Sequence, residues 1–455
     1  MNFRGSAAIL ELGPAFYDPV APAEFPRAVV RFRNDRAAAE IGLDNLDDAG
    51  WVAHFARFHP LAGSLTTPLA LRYHGHQFRS YNPDLGDGRG FLFAQCRDAR
   101  GRLMDLGTKG SGTTPWSRAG DGRLTLKGAV REVLATEMLG SLGVETSRTL
   151  SVIETGEDLV RGDEPSPTRS AVLVRLSHSH IRYGTFQRVA AIGDGDALAR
   201  LTAYVLTHYF DGDGVFDPYA ALIDHAVTNA AAQAAALMAA GFVHGVLNTD
   251  NINITGEMFD YGPYRFAPTW DGDFTAAYFD HHGLYSFGRQ AEALQWNVFQ
   301  LANALRLVAP VEALKPALET FGERYTAALT AALLDRLAVV RSGDGRDRVL
   351  AEALVAALVA SGASIDRFWF DWRGGRLRPG AGLDYDGPEF APFVAAVAAF
   401  APAAATGHAY WSDAAPCGLP IAEIEAIWAR IAAADDWTAF DAKVAAIRRM
   451  GEAMR

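Results

Sequence analysis

Cysteine is nearly absent from this chain. Cys96 and Cys417 are the two thiols in 455 residues, and they form no Cys-x-x-Cys pair. That excludes a disulfide scaffold and a thiolate zinc site, and it suits a reducing compartment, so a cytoplasmic location is expected. An excess of positive charge is also missing. Lys and Arg number 42 against 53 Asp and Glu, a formal net charge of -11, which argues against a broad nucleic-acid footprint. No run of about 18 uncharged apolar residues occurs, so no membrane span is expected. The first residues lack the long apolar core and cleavage site of a secretory leader. Internal repeats and long low-complexity linkers are absent too.

What is present is a large core. Hydrophobic residues make up 49% of the chain and charged residues 21%, the balance of a globular protein. At roughly 150 residues per unit, two to four lobes are expected. Residues 1–60 read as an N-terminal extension, with an extended arm at 16–19 and short helices over 37–43 and 47–58. Residues 61–185 mix strand and helix patterns. Residues 186–362 are mainly helical, including a long Ala-rich helix over 219–240 that ends at Gly241. Residues 363–420 are rich in Gly, Pro and aromatics and suggest loops. Residues 421–450 return to a helical pattern.

Chemistry-bearing residues fall in a definite order. His74-Gly-His76 offers too few ligands for a metal and reads as a structural turn. A glycine-rich loop, Gly86-Asp-Gly88-Arg89-Gly90, precedes a strand pattern, and glycine there lets backbone N–H groups approach phosphate. A second strand pattern over 102–106 leads to Lys109. Loop residues 112–123 follow, with an Asp121-Gly122 turn signal. A helix then has apolar residues at 126, 130, 133, 134 and 138, one buried stripe. Glu132 lies beside that stripe, placed to meet Lys109, with Glu137 as the second choice. A lysine on a strand and a glutamate on the adjacent helix form the phosphate-holding pair of kinase-like lobes. Strand patterns over 146–155 and 170–176 come next. Arg175 and Arg182, seven apart among apolar residues, suit a phosphate clamp, because guanidinium offers a planar fork of fixed charge.

The densest cluster spans 244–264. His244-Gly opens it, Asp250-Asn251 follows, and Phe259-Asp260-Tyr261-Gly262 closes it, the layout of a hairpin aimed at one metal–phosphate site. Asn251 stands seven after His244 and Asp260 nine after that. One carboxylate and one amide oxygen suit Mg²⁺, or Mn²⁺, completed by phosphate oxygens and water. Two residues after the histidine, where kinase-like phosphotransferases keep their catalytic Asp, stands Val246. Valine accepts no proton, so ordinary γ-phosphoryl transfer lacks its base, whereas Asp250 could accept a proton beside the metal.

Taken together, these motifs resemble the selenoprotein O family, a kinase-fold group. The likeness rests on Gly75-His-Gln-Phe78, Leu85-Gly-Asp-Gly-Arg89, Lys109-Gly, Pro115-Trp-Ser-Arg118, Arg131-Glu132, Ile181-Arg-Tyr-Gly-Thr-Phe186, the run from Gly241 to Asn251, Asp260-Tyr-Gly-Pro263 and Trp296-Asn297. It implies an α+β bilobal protein-kinase-like fold, with a mixed N-terminal lobe, a mainly helical C-terminal lobe and a helical extension. It implies a protein adenylyltransferase that binds ATP in flipped orientation and moves AMP onto Ser, Thr or Tyr hydroxyls, releasing pyrophosphate. Gly86, Gly88, Arg89, Lys109, Asp121, Gly122, Arg175, Arg182 and Asp260 would bind nucleotide. Asp250 would be the proton acceptor, Asn251 and Asp260 the metal ligands, and Glu132 the partner of Lys109.

The chain departs from that family in three places. Residues 448–455 hold no cysteine, the Asn-Pro…Arg-Asn segment is missing from 363–455, and residues 77–84 differ. The competing expectations are a γ-phosphoryl transferase, against which Val246 speaks, and an inactive nucleotide-binding scaffold, against which Lys109, Glu132, Asn251 and Asp260 speak. Proteins bearing hydroxyl side chains are the expected partners. The sequence does not encode an oligomeric state in any readable way, and a monomer is favoured.

Overall fold

The computed structural model describes residues 2–162, 164–210, 216–403 and 407–455. Its first part is built on an antiparallel sheet. Across the sheet the strands run Tyr17–Pro19, Leu69–Leu71, Leu92–Arg97, Leu103–Lys109, Thr168–Ser177, Arg148–Leu159 and Val29–Arg33. Gly5–Ser6 adds to Leu92–Arg97, and Leu124–Thr125 to Thr168–Ser177. The segment expected as an N-terminal extension therefore supplies three strands of the sheet. Two of them, Tyr17–Pro19 and Val29–Arg33, are the edges of the sheet, and strands this short leave few backbone donors and acceptors open.

Alternation along the strands gives the sheet two different faces. Val172, Val174 and Leu106 face a core made with Ala37, Trp51 and Phe55 from the helices Asp35–Glu40 and Asp48–Phe55. Leu103, Val152 and Leu173 face the larger core, which includes the helix Leu126–Ser141 and continues into the helical half. Thr125 caps that helix, its Oγ1 accepting from Gly128 N at 3.1 Å. The expected stripe at Leu126, Val130, Val133, Leu134 and Met138 is fully buried. An N-cap hydroxyl is worth about 1 kcal/mol, and each buried aliphatic side chain about 2 kcal/mol, so packing decides the position of this helix.

The remainder is mainly helical. The helix Pro218–Ala239 begins at Asp217, whose Oδ1 accepts from Tyr219 N and Ala220 N, and it ends before Gly241 at φ 66°. It packs on the helices Gln290–Leu305 and Phe321–Leu337. The continuous helix expected over 421–450 is two helices, Ile421–Ala434 and Thr438–Met454. Asp435 breaks it in a left-handed conformation, and Asp436 Oδ1 accepts from Thr438 N at 3.0 Å. Asp436 competes with the helix for a backbone donor, and Asp435 is held by Arg31 and Arg169. The last helix lies against Leu126–Ser141. There Arg448 donates to both oxygens of Glu137 at 2.7 and 2.8 Å, so the second-choice partner for Lys109 is engaged elsewhere. Among the described residues no helix is long and apolar enough to cross a membrane.

Candidate active site

Sheet register creates the site. Leu173 pairs with Lys109 and Arg175 with Gly107, which places Lys109 and Arg175 on one face, toward the helix Leu126–Ser141. Gly107 has no side chain to fill the gap: a Cβ there would lie 2.1 Å from His180 Nε2. Glu132, itself buried, reaches Lys109 Nζ directly. On its other side Lys109 Nζ stands 2.7 Å from Asp260 Oδ1. Three chain segments that are distant in sequence thus meet at one ammonium group.

Residues 244–264 lie between two short paired strands, Phe242–Val243 and Arg265–Phe266. The loop itself is not a ladder; Thr249–Asn251 forms one tight helical turn. The buried ring of His244 spans it, its Nε2–H donating to Phe259 O at 3.2 Å. This holds the backbone just before Asp260, which adopts φ 67°, a left-handed conformation that is uncommon outside glycine. Gln290 and Asn297 brace the loop from the helix behind, through His244 N at 3.1 Å and Leu247 O at 2.8 Å.

All these groups open on a cleft of about 820 Å³. Gly86, Gly88, Arg89, Lys109, Asp121, Gly122, Arg175, Arg182, Asp250, Asn251 and Asp260 line it, together with Val246. Glu132 sits one layer behind, on Lys109. Arg175 donates to Asp260 Oδ1 at 3.4 Å, while its Nε and Nη1 are buried with no partner among the described residues. Arg182 is held between the rings of Tyr73 and Phe259, at 4.3 and 4.8 Å. It donates to Asp250 O at 2.9 Å and to Asp87 Oδ1 at 3.1 Å, and its Nε is unpartnered. Buried donors without acceptors are costly, and here they are three N–H groups of two cations, a donor set suited to an anion.

The carboxylates differ in their environments. Burial pushes Asp260 upward, but Lys109, Arg175, Arg89 and Arg182 outweigh it and hold the carboxyl well below its usual range. Asp250 is raised to about 6, chiefly by burial, which Arg182 only partly offsets. One Asp250 oxygen is buried with no partner among the described residues; the other lies 3.5 Å from Gln77 Nε2. Asp260 is thus a permanent anion, and Asp250 a carboxylate that can exchange a proton near neutrality. Asn251 Nδ2 donates to Val246 O at 2.9 Å, which turns its amide oxygen the other way.

The glycine-rich loop differs from expectation. None of Gly86, Gly88 and Gly90 has a positive φ, so the alternating backbone of an anion nest is not formed there. Glycine is required for space instead. A Cβ on Gly86 would lie 2.4 Å from the Trp116 ring, and one on Gly90 2.0 Å from Thr108 O. Gly122 does need its left-handed φ of 67°. Asp121 beside it is paired with Arg161 at 2.7 Å.

The hairpin Gly75–Gln77 and Ser80–Asn82 leans over the Asp250 turn, with His76 N donating to Thr249 Oγ1 at 2.7 Å and Phe78 N to Asn248 Oδ1 at 3.1 Å. His74 and His76 are occupied by Tyr81 and Gln187. Sequence reasoning missed Asp87, Tyr73, Gln77 and Arg161 as cleft residues. Asp87 stands inside the glycine motif and could have been flagged as an acid among phosphate-loop glycines; the others carry no local signal.

A lysine on a sheet strand, a glutamate on the helix behind it, and an Asp-Asn turn followed by Asp-Tyr-Gly across a cleft define a kinase-like transferase. The sequence model of the family described as protein adenylyltransferase SelO matches residues 1–374. The chain is 49% identical over 362 residues to the protein nucleotidyltransferase YdiU of Synechocystis, covering 78% of this chain and 75% of that one. It is 48% identical to the corresponding protein of Gloeobacter violaceus, with 80% and 77% covered, and 36% identical to that of Rhizobium johnstonii, with 84% and 75% covered. The chain belongs to the protein adenylyltransferase SelO family. A Toxoplasma gondii rhoptry antigen kinase domain is a remote neighbour, 13% identical with a TM-score of 0.26 over 65% of this chain and 84% of that one, too distant to bear on the fold.

Proposed function

We propose that this enzyme transfers AMP from ATP to the hydroxyl of a Ser, Thr or Tyr side chain on another protein, with ATP lying in the flipped orientation. The observation that carries this is Val246. It lines the cleft where a γ-phosphoryl transferase needs a carboxylate, while the buried Asp250 offers a proton-accepting oxygen with no other partner.

Gly86, Gly88, Arg89, Asp121 and Gly122 form the wall along the nucleotide. Lys109, Arg175 and Arg182 bind the phosphates, and Glu132 positions Lys109. Asn251 and Asp260 suit Mg²⁺ or Mn²⁺: Asn251 bonds through Nδ2 and Asp260 through Oδ1, which leaves each an oxygen to which no described residue donates. Such a sparse donor set is the one Mg²⁺ uses beside substrate phosphates. When bound, the ion supplies neutralisation of phosphate charge.

In the reaction, Asp250 takes the hydroxyl proton as the oxygen forms its bond to Pα. The bond from Pα to the bridging oxygen of Pβ breaks, and pyrophosphate leaves with that electron pair. Lys109, Arg175 and Arg182 stabilise the growing charge, so catalysis is positioning plus electrostatics.

ATP labelled separately at the α- and γ-phosphates, incubated with the enzyme, divalent metal and a protein mixture, tests this reading. Label reaching protein from the α-position only is expected. Label from the γ-position only would replace it with phosphoryl transfer, and ATP binding without any transfer would replace it with a scaffold.

A further inference from the structure

Outside the cleft, and sharing no lining residue with it, a second cavity of about 690 Å³ lies between the helix Leu126–Ser141, the end of the helix Phe321–Leu337 and the last helix, Thr438–Met454. Its floor is formed by Arg336 and Arg373, each exposing only 9% of its surface. Their partners are neutral. Arg373 donates to Arg336 O at 3.1 Å and Met454 O at 3.0 Å, and Arg336 Nη1 lies 3.1 Å from Met454 Sδ. The Nε of both is buried with no acceptor among the described residues.

The acids around this cavity are committed elsewhere. Glu137 pairs with Arg448, Glu40 with Arg148 and Asp335 with Arg341. Asp366 acts on Arg336 from beyond ion-pair distance. The C-terminal end of the helix bearing Arg336 gives only the partial negative charge of its last carbonyls. Two neighbouring guanidinium groups are therefore buried with no carboxylate of the described residues within ion-pair distance. Burial pushes both downward, and Arg336 pushes Arg373 further, to about 10. Removing charges from water without a counter-ion is strongly unfavourable, and such groups mark a site whose compensating charge comes from outside the chain.

We propose that this cavity binds a small phosphate-bearing dianion, held between the guanidinium groups of Arg336 and Arg373. Two fixed positive charges match the two negative charges of a phosphoryl group near neutral pH, and the forked donors suit its oxygens. The volume is that of a small-molecule site. Thr136 and Glu137 in its wall lie one helical turn from Glu132, so the ligand touches the helix that positions Lys109.

Titration calorimetry of the whole protein with inorganic phosphate, without metal, tests the site against the catalytic cleft. The cleft variant Arg182→Met is expected to keep a phosphate site, while Arg373→Met and Arg336→Met, each added to Arg182→Met, weaken that site by about tenfold or more. No binding at millimolar phosphate, binding unchanged when both floor substitutions are added to Arg182→Met, or binding lost in Arg182→Met alone would overturn the proposal. Circular dichroism checks that the floor variants fold. If they do not, wild-type crystals soaked in tungstate decide the matter: an anomalous peak between the two guanidinium groups is expected, and its absence there rejects the site.

Discussion

Lys109 Nζ stands 2.7 Å from Asp260 Oδ1 and also meets Glu132, so one buried ammonium couples the sheet, its helix and the Asp-Tyr-Gly turn. Glu132→Gln leaves Asp260 as the one carboxylate on Lys109 among the described residues. Breaking a buried pair costs roughly 3–5 kcal/mol when the remaining charge has no other partner; with Asp260 retained, a loss of about 1–2 kcal/mol is expected in urea unfolding. Transfer should fall by about tenfold or more as Lys109 swings toward Asp260. Unchanged activity in a folded Glu132→Gln protein would remove Glu132 from its positioning role.

Asp260→Ala removes a permanent anion and a proposed metal ligand together. The expected result is loss of label transfer and loss of the metal-dependent part of ATP binding. Metal-free ATP binding should persist or tighten, since Arg175 and Lys109 are freed from Asp260. Comparing ATP affinity with and without Mg²⁺ in both proteins checks this. An equal metal effect in the two would show that Asp260 is not a ligand.

These contacts show which parts of the chain were readable beforehand. The Lys109–Glu132 pair followed from a strand pattern, an apolar stripe and a glutamate at its border, all local signals. Arg175 and Arg182 were marked by spacing, but their fixation by Asp260, Asp87 and the Tyr73 ring depends on long-range packing. The break at Asp435 was hidden because an Ala-rich helical pattern continues on both sides of it. Residues 1–60 read as an added arm because strands of two to five residues carry too little alternation to be recognised. Arg336 and Arg373 look like ordinary helix-end cations until burial removes their solvent.

Asp250→Asn keeps the size of the side chain and removes its ability to accept a proton. Nucleotide affinity should change by no more than about threefold, because phosphate contacts come from Lys109, Arg175 and Arg182. AMP transfer should fall by about a hundredfold or more, the usual contribution of a positioned base. Single-turnover transfer together with equilibrium ATP binding separates the two. A parallel loss of binding and transfer would make Asp250 a structural residue.

Gly184 lies in the helix Tyr183–Ala191, beneath the chain at His74. A Cβ there would stand 2.1 Å from His74 O, a backbone atom that cannot turn aside. Gly184→Ala must therefore push away the hairpin that covers Asp250. The expected cost is about 2 kcal/mol or more, read as a lower urea midpoint. Gly193→Ala is not a fair control, because its φ of 74° adds backbone strain. Gly322→Ala is suitable: its Cβ would meet nothing within 4 Å and its helix accepts alanine.

Glu257 provides a pH test away from the reacting groups. Burial raises its carboxyl to about 7, against the opposing hydrogen bond from His178 N at 2.8 Å. The folded chain therefore holds this proton more tightly than the unfolded chain, whose value is 4.5. The resulting stability is fully present below that value and is lost as pH rises through about 7. His178 itself is lowered from 6.5 to about 4, chiefly by burial, and works in the opposite direction between those two values. It remains in a Glu257→Gln variant and cancels in the difference. Relative to that variant, the wild type should lose on the order of 2 kcal/mol between about pH 5 and pH 8, less than the full shift implies because the carboxyl keeps some solvent contact. Urea unfolding of both proteins across that range measures it, and parallel curves would place the Glu257 carboxyl in ordinary solvent.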